Sequence, residues 1–365
     1  MDFTRTEAAQ DLSGLVDTIV DTVCTPEHQR DLDRLDQRFD ERLWRTLIDA
    51  DILSTAAPES VGGGGFGVLE QIAILTALGR QLAAVPYLES VVLGGGALAG
   101  FGSEDLARSW AAPAVAGAKI LTVALDGELG QPPVRATASV DGFTLTGTRT
   151  QVPFGPIADA FLVPAETDSG TAVFLIAADQ PGVSVKPLET TARNSAGELD
   201  LAGVEVPAAQ ILGDGEVLAW LTSRRAVGLA AFQLGVLERA LALTAEYART
   251  REQFDRPIGS FQAVSQRLAD DYIDIKGLRL TLDQASWRLS EGLPADVEVA
   301  TAAFWAAEAG HRVAHTTVHV HGGVGIDMDH PVHRYFITAK QTEFALGGAT
   351  AALRIIGRDL ADTPA

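Results

Sequence analysis

The hydrophobic period changes twice along this chain, and no other feature restricts its fold as much. From Thr6 to about Ala112, apolar residues recur at three- and four-residue spacing, as in LSGLVDTIVDTV and ERLWRTLIDADIL, which predicts helices. Between roughly Lys119 and Leu212 the period falls to two. There Asp141-Gly142 sits between the alternating runs of VRATASVDGFTLTGTRTQV and predicts a hairpin turn, while DAFLVPA, TAVFLIAA, VSVKPL and ELDLAGVEV read as further strands. Helical spacing returns after Gly215, over Val217–Arg249, Phe261–Ser290 and Ala295–Val318, with a last helix around Ala349–Leu360. Long helices with short loops predict an antiparallel bundle. The expected class is α+β, with a helical segment 1–115, a β segment 116–213 and a helical bundle 214–365.

A chain of 365 residues that is 47% hydrophobic and 21% charged has the makings of ordinary globular cores rather than disorder. Its formal net charge of −20 argues against a nucleic-acid partner, because affinity for phosphate backbones comes mainly from Lys and Arg. The opening residues lack a basic region followed by an apolar core, so no secretion signal is expected. LESVVLGGGALAGFG is too Gly-rich and too short for a membrane span of roughly 20 residues. The lone Cys24 cannot form an internal disulfide, and a cytoplasmic setting is expected. Cys24 itself reads as a small buried residue; a reactive thiol would need a basic or His neighbour. The stretch PESVGGGGFG invites a phosphate-loop reading, yet no Gly-Lys-Ser/Thr follows and no strand precedes it. It reads as a flexible connection between helices.

The stretch from Tyr247 to Gln262, YARTREQFDRPIGSFQ, carries the chemistry. Its core, Arg251 to Ile258, resembles the flavin-contacting pattern Arg-x-Gln-Phe-Gly-x-Pro-Ile of acyl-CoA dehydrogenases, departing only at Asp255, and Phe261-Gln262 and LADDYIDI follow at the family's offset. A guanidinium is a planar, permanently charged fork for a pyrophosphate, and Phe offers an apolar face to a ring. An Arg-rich helix end would also stabilise a helix C-terminus with no ligand at all. A second segment, His319-Val320-His321-Gly322-Gly323-Val324-Gly325, is similar to the family's Gln-x-x-Gly-Gly-x-Gly loop, with His319 in place of Gln. Paired glycines there let backbone N–H groups approach a cofactor closely. HPVHRYFITAK, from His330 to Lys340, is similar to the Pro-x-x-x-x-x-Arg-Asp-x-Lys region but lacks the Arg-Asp pair.

The resemblance implies the acyl-CoA dehydrogenase fold: an N-terminal helical domain, a middle β-barrel-like domain and a C-terminal four-helix bundle. It implies FAD as cofactor, contacted by Arg251, Gln253, Phe254, Gln262, His319, Gly322 and Gly323, which the family lends to a neighbouring subunit. It also exposes losses. The family places its catalytic Glu at one of two positions, and these match Leu346 and Arg225. Neither can take a proton from substrate. Glu343, one helical turn before Leu346, is the remaining candidate base. The Trp-Ile-Thr that packs on the flavin ring has become Gln151-Val152-Pro153, and Thr122 to Pro132, TVALDGELGQP, lacks the family's Ser-Asp ending. Elements that would be lent are retained and elements that would be used are lost. That asymmetry resembles the non-catalytic β subunit of actinobacterial α2β2 acyl-CoA dehydrogenases acting on steroid side-chain CoA thioesters in cholesterol breakdown. The resemblance implies a catalytic α subunit as partner, acyl-CoA bound mainly there, and an electron-transfer flavoprotein as acceptor. Two alternatives stand beside it: a self-sufficient homomer using Glu343, and a non-redox scaffold of the same fold. His311, His315 and His319 recur at helical spacing, but one helix presents three ligands poorly to a tetrahedral metal, so polar packing is expected and no metal.

Overall fold

Runs with period two become strands. β1 (Leu121–Val123), β2 (Arg135–Ala138), β3 (Gly142–Pro153), β4 (Ala160–Thr167), β5 (Gly170–Ala177), β6 (Val183–Pro187), β7 (Ala196–Pro207) and β8 (Ile211–Gly213) make one mixed sheet. Its order is β6-β7-β3-β2-β4-β5-β8, with β1 parallel to β4. Leu145, Val152, Phe161, Phe174 and Leu199 lie in its core. The hairpin expected at Asp141-Gly142 joins β2 to β3, with Ala138 opposite Phe143. Gly142 serves close packing rather than the turn: its φ is not left-handed, and a Cβ there would lie 2.1 Å from the Val206 carbonyl oxygen.

The computed structural model describes residues 5–127 and 130–362. Contacts divide the chain into two compact units, one of residues 27–67 and 84–225 and the other of 1–26, 68–83 and 226–365. The helical segment expected at 1–115 is therefore shared between them. Glu7–Val23 and Val68–Arg80 pack with the C-terminal helices, whereas the sheet's unit takes the rest. Packing partners, not period, decide that division.

In the sheet's unit, the Gly-rich PESVGGGGFG is a tight turn rather than a flexible connection. The N–H groups of Gly62, Gly63, Gly64 and Gly65 donate to the carbonyls of Glu59, Pro58, Ser54 and Ala57, which leaves none of them to cradle a phosphate. LESVVLGGG lies in a π-helix, Tyr87–Gly95, followed by a helical turn, Gly96–Phe101. Long π-helices are rare and concentrate at functional sites.

The other unit contains the four C-terminal helices expected, Gly215–Thr250 (in part), Gln262–Ser290, Asp296–His321 and Gly348–Asp362, and adds Val332–Ala345. The Gly215–Thr250 helix is long and apolar enough to cross a membrane by composition, but 56% of its most apolar window is buried inside the protein, as in a core helix. Thr6 caps the Glu7–Val23 helix, accepting from the Ala9 N–H at 3.0 Å while donating to Glu70 at 2.7 Å. Arg80 ties Asp17 to Glu238.

Asp271 lies buried in this unit. Burial pushes its carboxyl up to about 7, opposed by a hydrogen bond from Thr316 and helped by Asp274 and Asp270; its Oδ2 has no hydrogen-bond partner. A carboxyl raised in the folded state stabilises fully below its unfolded value near 3.8 and loses that contribution as pH rises through 7. Asp271→Asn removes the buried charge. Urea unfolding should show the variant more stable at pH 8 by about 2 kcal/mol, the gain fading towards pH 4. An equal gain at both pH values would show that charge is not the cause.

Candidate functional site

The helix Gly215–Thr250 ends at the first motif because the chain turns sharply there. The Arg251 N–H donates to the Tyr247 carbonyl at 2.8 Å, and Glu252–Gln253 then pairs antiparallel with Arg256–Pro257. Phe254 and Asp255 form the two-residue turn with φ of +55° and +63°. Two positive φ values suit the twist of a tight hairpin and favour Asn-Gly or Asp-Gly. Asp255 tolerates this region where the family pattern has Gly, so the hairpin survives the departure. For Phe254 the conformation is strained. That strained ring is 86% exposed and makes an edge contact with Phe261 at 6.1 Å. Arg251 is exposed and, among the described residues, has no ion pair or side-chain hydrogen bond, while Arg256 stacks over Phe261 at 4.0 Å. Gln253 is exposed, its Nε2 donating to the Glu252 carbonyl at 2.9 Å, and Gln262 begins the next helix, also exposed.

The second motif closes the Asp296–His321 helix. Gly322 ends it with φ +61° and ψ −137°, which suits only glycine. Gly322 and Gly323 are exposed, and a Cβ on either would meet nothing within 4 Å. His319 is exposed on the last turn. The tips of both motifs are thus open to solvent. From Gln262 to Asp270 no residue of the following helix is buried, and beyond it Tyr272, Ile273 and Leu280 are 56%, 62% and 64% exposed. The first turns of this helix thus gain little from packing within this chain, whereas Ile275, Leu278 and Leu282 further along it are buried.

Leu346 caps the Val332–Ala345 helix, its N–H donating to Thr342 at 3.0 Å. Glu343, one turn earlier, is bound: Lys340 Nζ lies 2.5 Å from Oε2, and His311 Nδ1 lies 3.4 Å from Oε1. Both carboxylate oxygens of Glu343 are therefore engaged by neighbours of this chain. His311 and His315 pack ring to ring at 4.6 Å. Among the described residues no group of three or more His, Cys, Asp or Glu could hold a metal ion.

Arg225 belongs to the sheet's unit and forms an ion pair with Asp126. Burial raises the Asp126 carboxyl, against the pull of Arg225 and Arg149, and lowers the Arg149 guanidinium. Glu89, on the π-helix, is pushed up to about 7 by burial, opposed by its own backbone hydrogen bond and then by Arg225. The sequence signal for Glu89 was weak, since a lone acid in LESVVLGGG reads as an interruption of an apolar run. Gln151 is exposed at φ +54°, where β3 slips register against β7 between Arg149 and Val152. Val152 faces the sheet core, and the Thr122 hydroxyl donates to the Pro153 carbonyl at 2.5 Å. Glu128 and Leu129 of TVALDGELGQP lie outside the described residues.

Residues 6–118 match the acyl-CoA dehydrogenase N-terminal domain and residues 214–361 its C-terminal domain. The acyl-CoA dehydrogenase FadE27 of Mycobacterium tuberculosis is 70% identical over 100% of both chains. The chain belongs to the acyl-CoA dehydrogenase family. A chain in the crystal structure of the ChsE4-ChsE5 complex from Mycobacterium tuberculosis is 71% identical, covers 100% of both chains and superposes with a TM-score of 0.99. A chain of the steroid acyl-CoA dehydrogenase Tcur3481-Tcur3483 is 38% identical over 98% of this chain and 99% of that one, with a TM-score of 0.93. In this member of the family, then, the two motif segments stand exposed at helix ends, while position 346 carries a leucine and position 225 an ion-paired guanidinium.

Proposed function

We propose that this chain is the non-catalytic subunit of a heteromeric, FAD-dependent acyl-CoA dehydrogenase that desaturates steroid side-chain CoA thioesters in cholesterol breakdown. Its likeness to chains of the ChsE4-ChsE5 complex and of a two-component steroid acyl-CoA dehydrogenase supports the heteromer. FAD, when bound, accepts the hydride leaving the β carbon, and a carboxylate on the opposite face takes the α proton. On this reading the partner brings that carboxylate, the flavin-ring contacts and the acyl pocket. This chain brings the Arg251 guanidinium for the pyrophosphate, the Phe254 ring, the side chains of Gln253, Gln262 and His319, and the Gly322-Gly323 backbone. The assembly would be an α2β2 tetramer in the cytoplasm, passing electrons to an electron-transfer flavoprotein.

The observation that carries this reading is the hairpin tip. A guanidinium with no partner among the described residues stands three residues from an aromatic ring that is 86% exposed in a strained conformation. Co-expression with a family member carrying the missing Glu tests it. The purified complex should be yellow with one FAD per heterodimer, and this chain alone colourless. Stoichiometric FAD in a homomer of this chain would overturn the reading.

The ion pair with Lys340 leaves Glu343 a structural carboxylate. Glu343→Gln in the complex should therefore change turnover by no more than about threefold, whereas loss of a general base costs about a hundred- to ten-thousandfold. A large drop with flavin content and assembly intact would make this chain its own base-bearing enzyme.

A further inference from the structure

The two exposed motifs are 71 residues apart from Arg251 to Gly322, yet one pair of rings joins their roots. Tyr247, four residues before Arg251, stacks on His321, the residue before Gly322, with centroids 4.4 Å apart and planes at 23°. His321 is buried, and its Nδ1 lies 2.8 Å from the Thr317 carbonyl. A carbonyl only accepts, so Nδ1 carries the proton and the ring plane is set. One turn back, the hydroxyls of Thr244 and Thr317 make a second rung between the same two helices at 3.3 Å. From this node both loops depart. The Tyr247 carbonyl receives the Arg251 N–H, and the Gly322 loop folds back so closely that a Cβ on Gly325 would meet His321 Cβ at 3.2 Å.

We propose that Tyr247 and His321 are positioning residues: their stack fixes the Arg251–Phe254 hairpin and the Gly322-Gly323 loop in the one spacing that a shared dinucleotide can bridge. The inference rests on the proposed shared flavin site. Holding two loops in register before binding spares the ordering cost at binding.

The test uses the assembled complex with its catalytic subunit. His321→Ala and Tyr247→Ala should each weaken FAD retention about two- to tenfold, the worth of one aromatic pair. Both should also speed amide exchange of Gly322 to Gly325, and the double variant should lose no more than either single one. His321→Phe and Tyr247→Phe keep the stack and should stay within about twofold. Unchanged FAD retention and loop exchange in both alanine variants, or additive losses in the double variant, would overturn the clamp. If Arg251→Ala also leaves retention unchanged, the shared-site reading itself fails; if it weakens retention and the alanine variants do not, only the clamp fails.

Discussion

Replacing Arg251 with alanine in the assembled complex should weaken flavin retention about ten- to a hundredfold. A hydrogen bond from a guanidinium to a phosphate contributes about 1.5 to 3 kcal/mol, and none of the described residues competes for that side chain. Gln151→Ala serves as the contrast. Gln151 stands in this chain's own sheet at the position the family gives to its ring-packing segment, and on the proposed reading it touches no flavin. Its removal should leave retention unchanged. Equilibrium dialysis of both variants separates the cases, and equal loss from both would mean that the chain uses its own sheet to hold the cofactor. If Phe254 is held strained for a ring supplied by the partner, the hairpin should become more protected from amide exchange when FAD binds.

Gly235→Ala should destabilise the helical unit by about 3 kcal/mol or prevent its folding. A Cβ at Gly235 would lie 2.0 Å from the Thr76 carbonyl oxygen, and one at Gly79 would lie 2.1 Å from that of Phe232. The two glycines thus let the Val68–Arg80 and Gly215–Thr250 helices meet backbone to backbone, and no rotamer change can relieve a clash with a carbonyl. Helix propensity points the other way, since Ala in mid-helix is favoured over Gly by about 1 kcal/mol. The sign of the measured change therefore decides between packing and propensity. Gly14→Ala is the control: Gly14 is exposed in the Glu7–Val23 helix and a Cβ there meets nothing within 4 Å, so a gain of about 0.5 to 1 kcal/mol is expected. Urea unfolding of the three proteins tests both statements, and a gain from Gly235→Ala would refute the close approach.

What was legible in the sequence is what is encoded locally. The short apolar runs DAFLVPA and TAVFLIAA appear as β4 and β5, whose consecutive residues are buried, and the helical spacing after Gly215 appears as long helices, because each segment's own apolar pattern records how it is buried. Arg251, Phe254, Gly322 and Gly323 could be picked out because each motif is contiguous in the chain. The helix Val332–Ala345 went unread, since HPVHRYFITAK mixes buried His333 and Arg334 into a face that period alone expects to be apolar.

Other features depend on residues far apart in the chain, and only the tertiary structure decided them. Arg225 finds Asp126 across 99 positions, a pairing for which neither residue's neighbours carry a signal. The raised carboxyls of Glu89 and Asp271 follow from burial, which a charged residue in a sequence does not announce. Gly79 and Gly235 look like weak points in two helices until the helices are brought together. The sequence by itself determined the α, β, α order, the family and the motif residues, because period and contiguous motifs survive in one dimension. The structure alone decided which charges pair, which glycines are indispensable and how Tyr247 and His321 join the two motifs, because those are contacts between distant segments and arise only on packing.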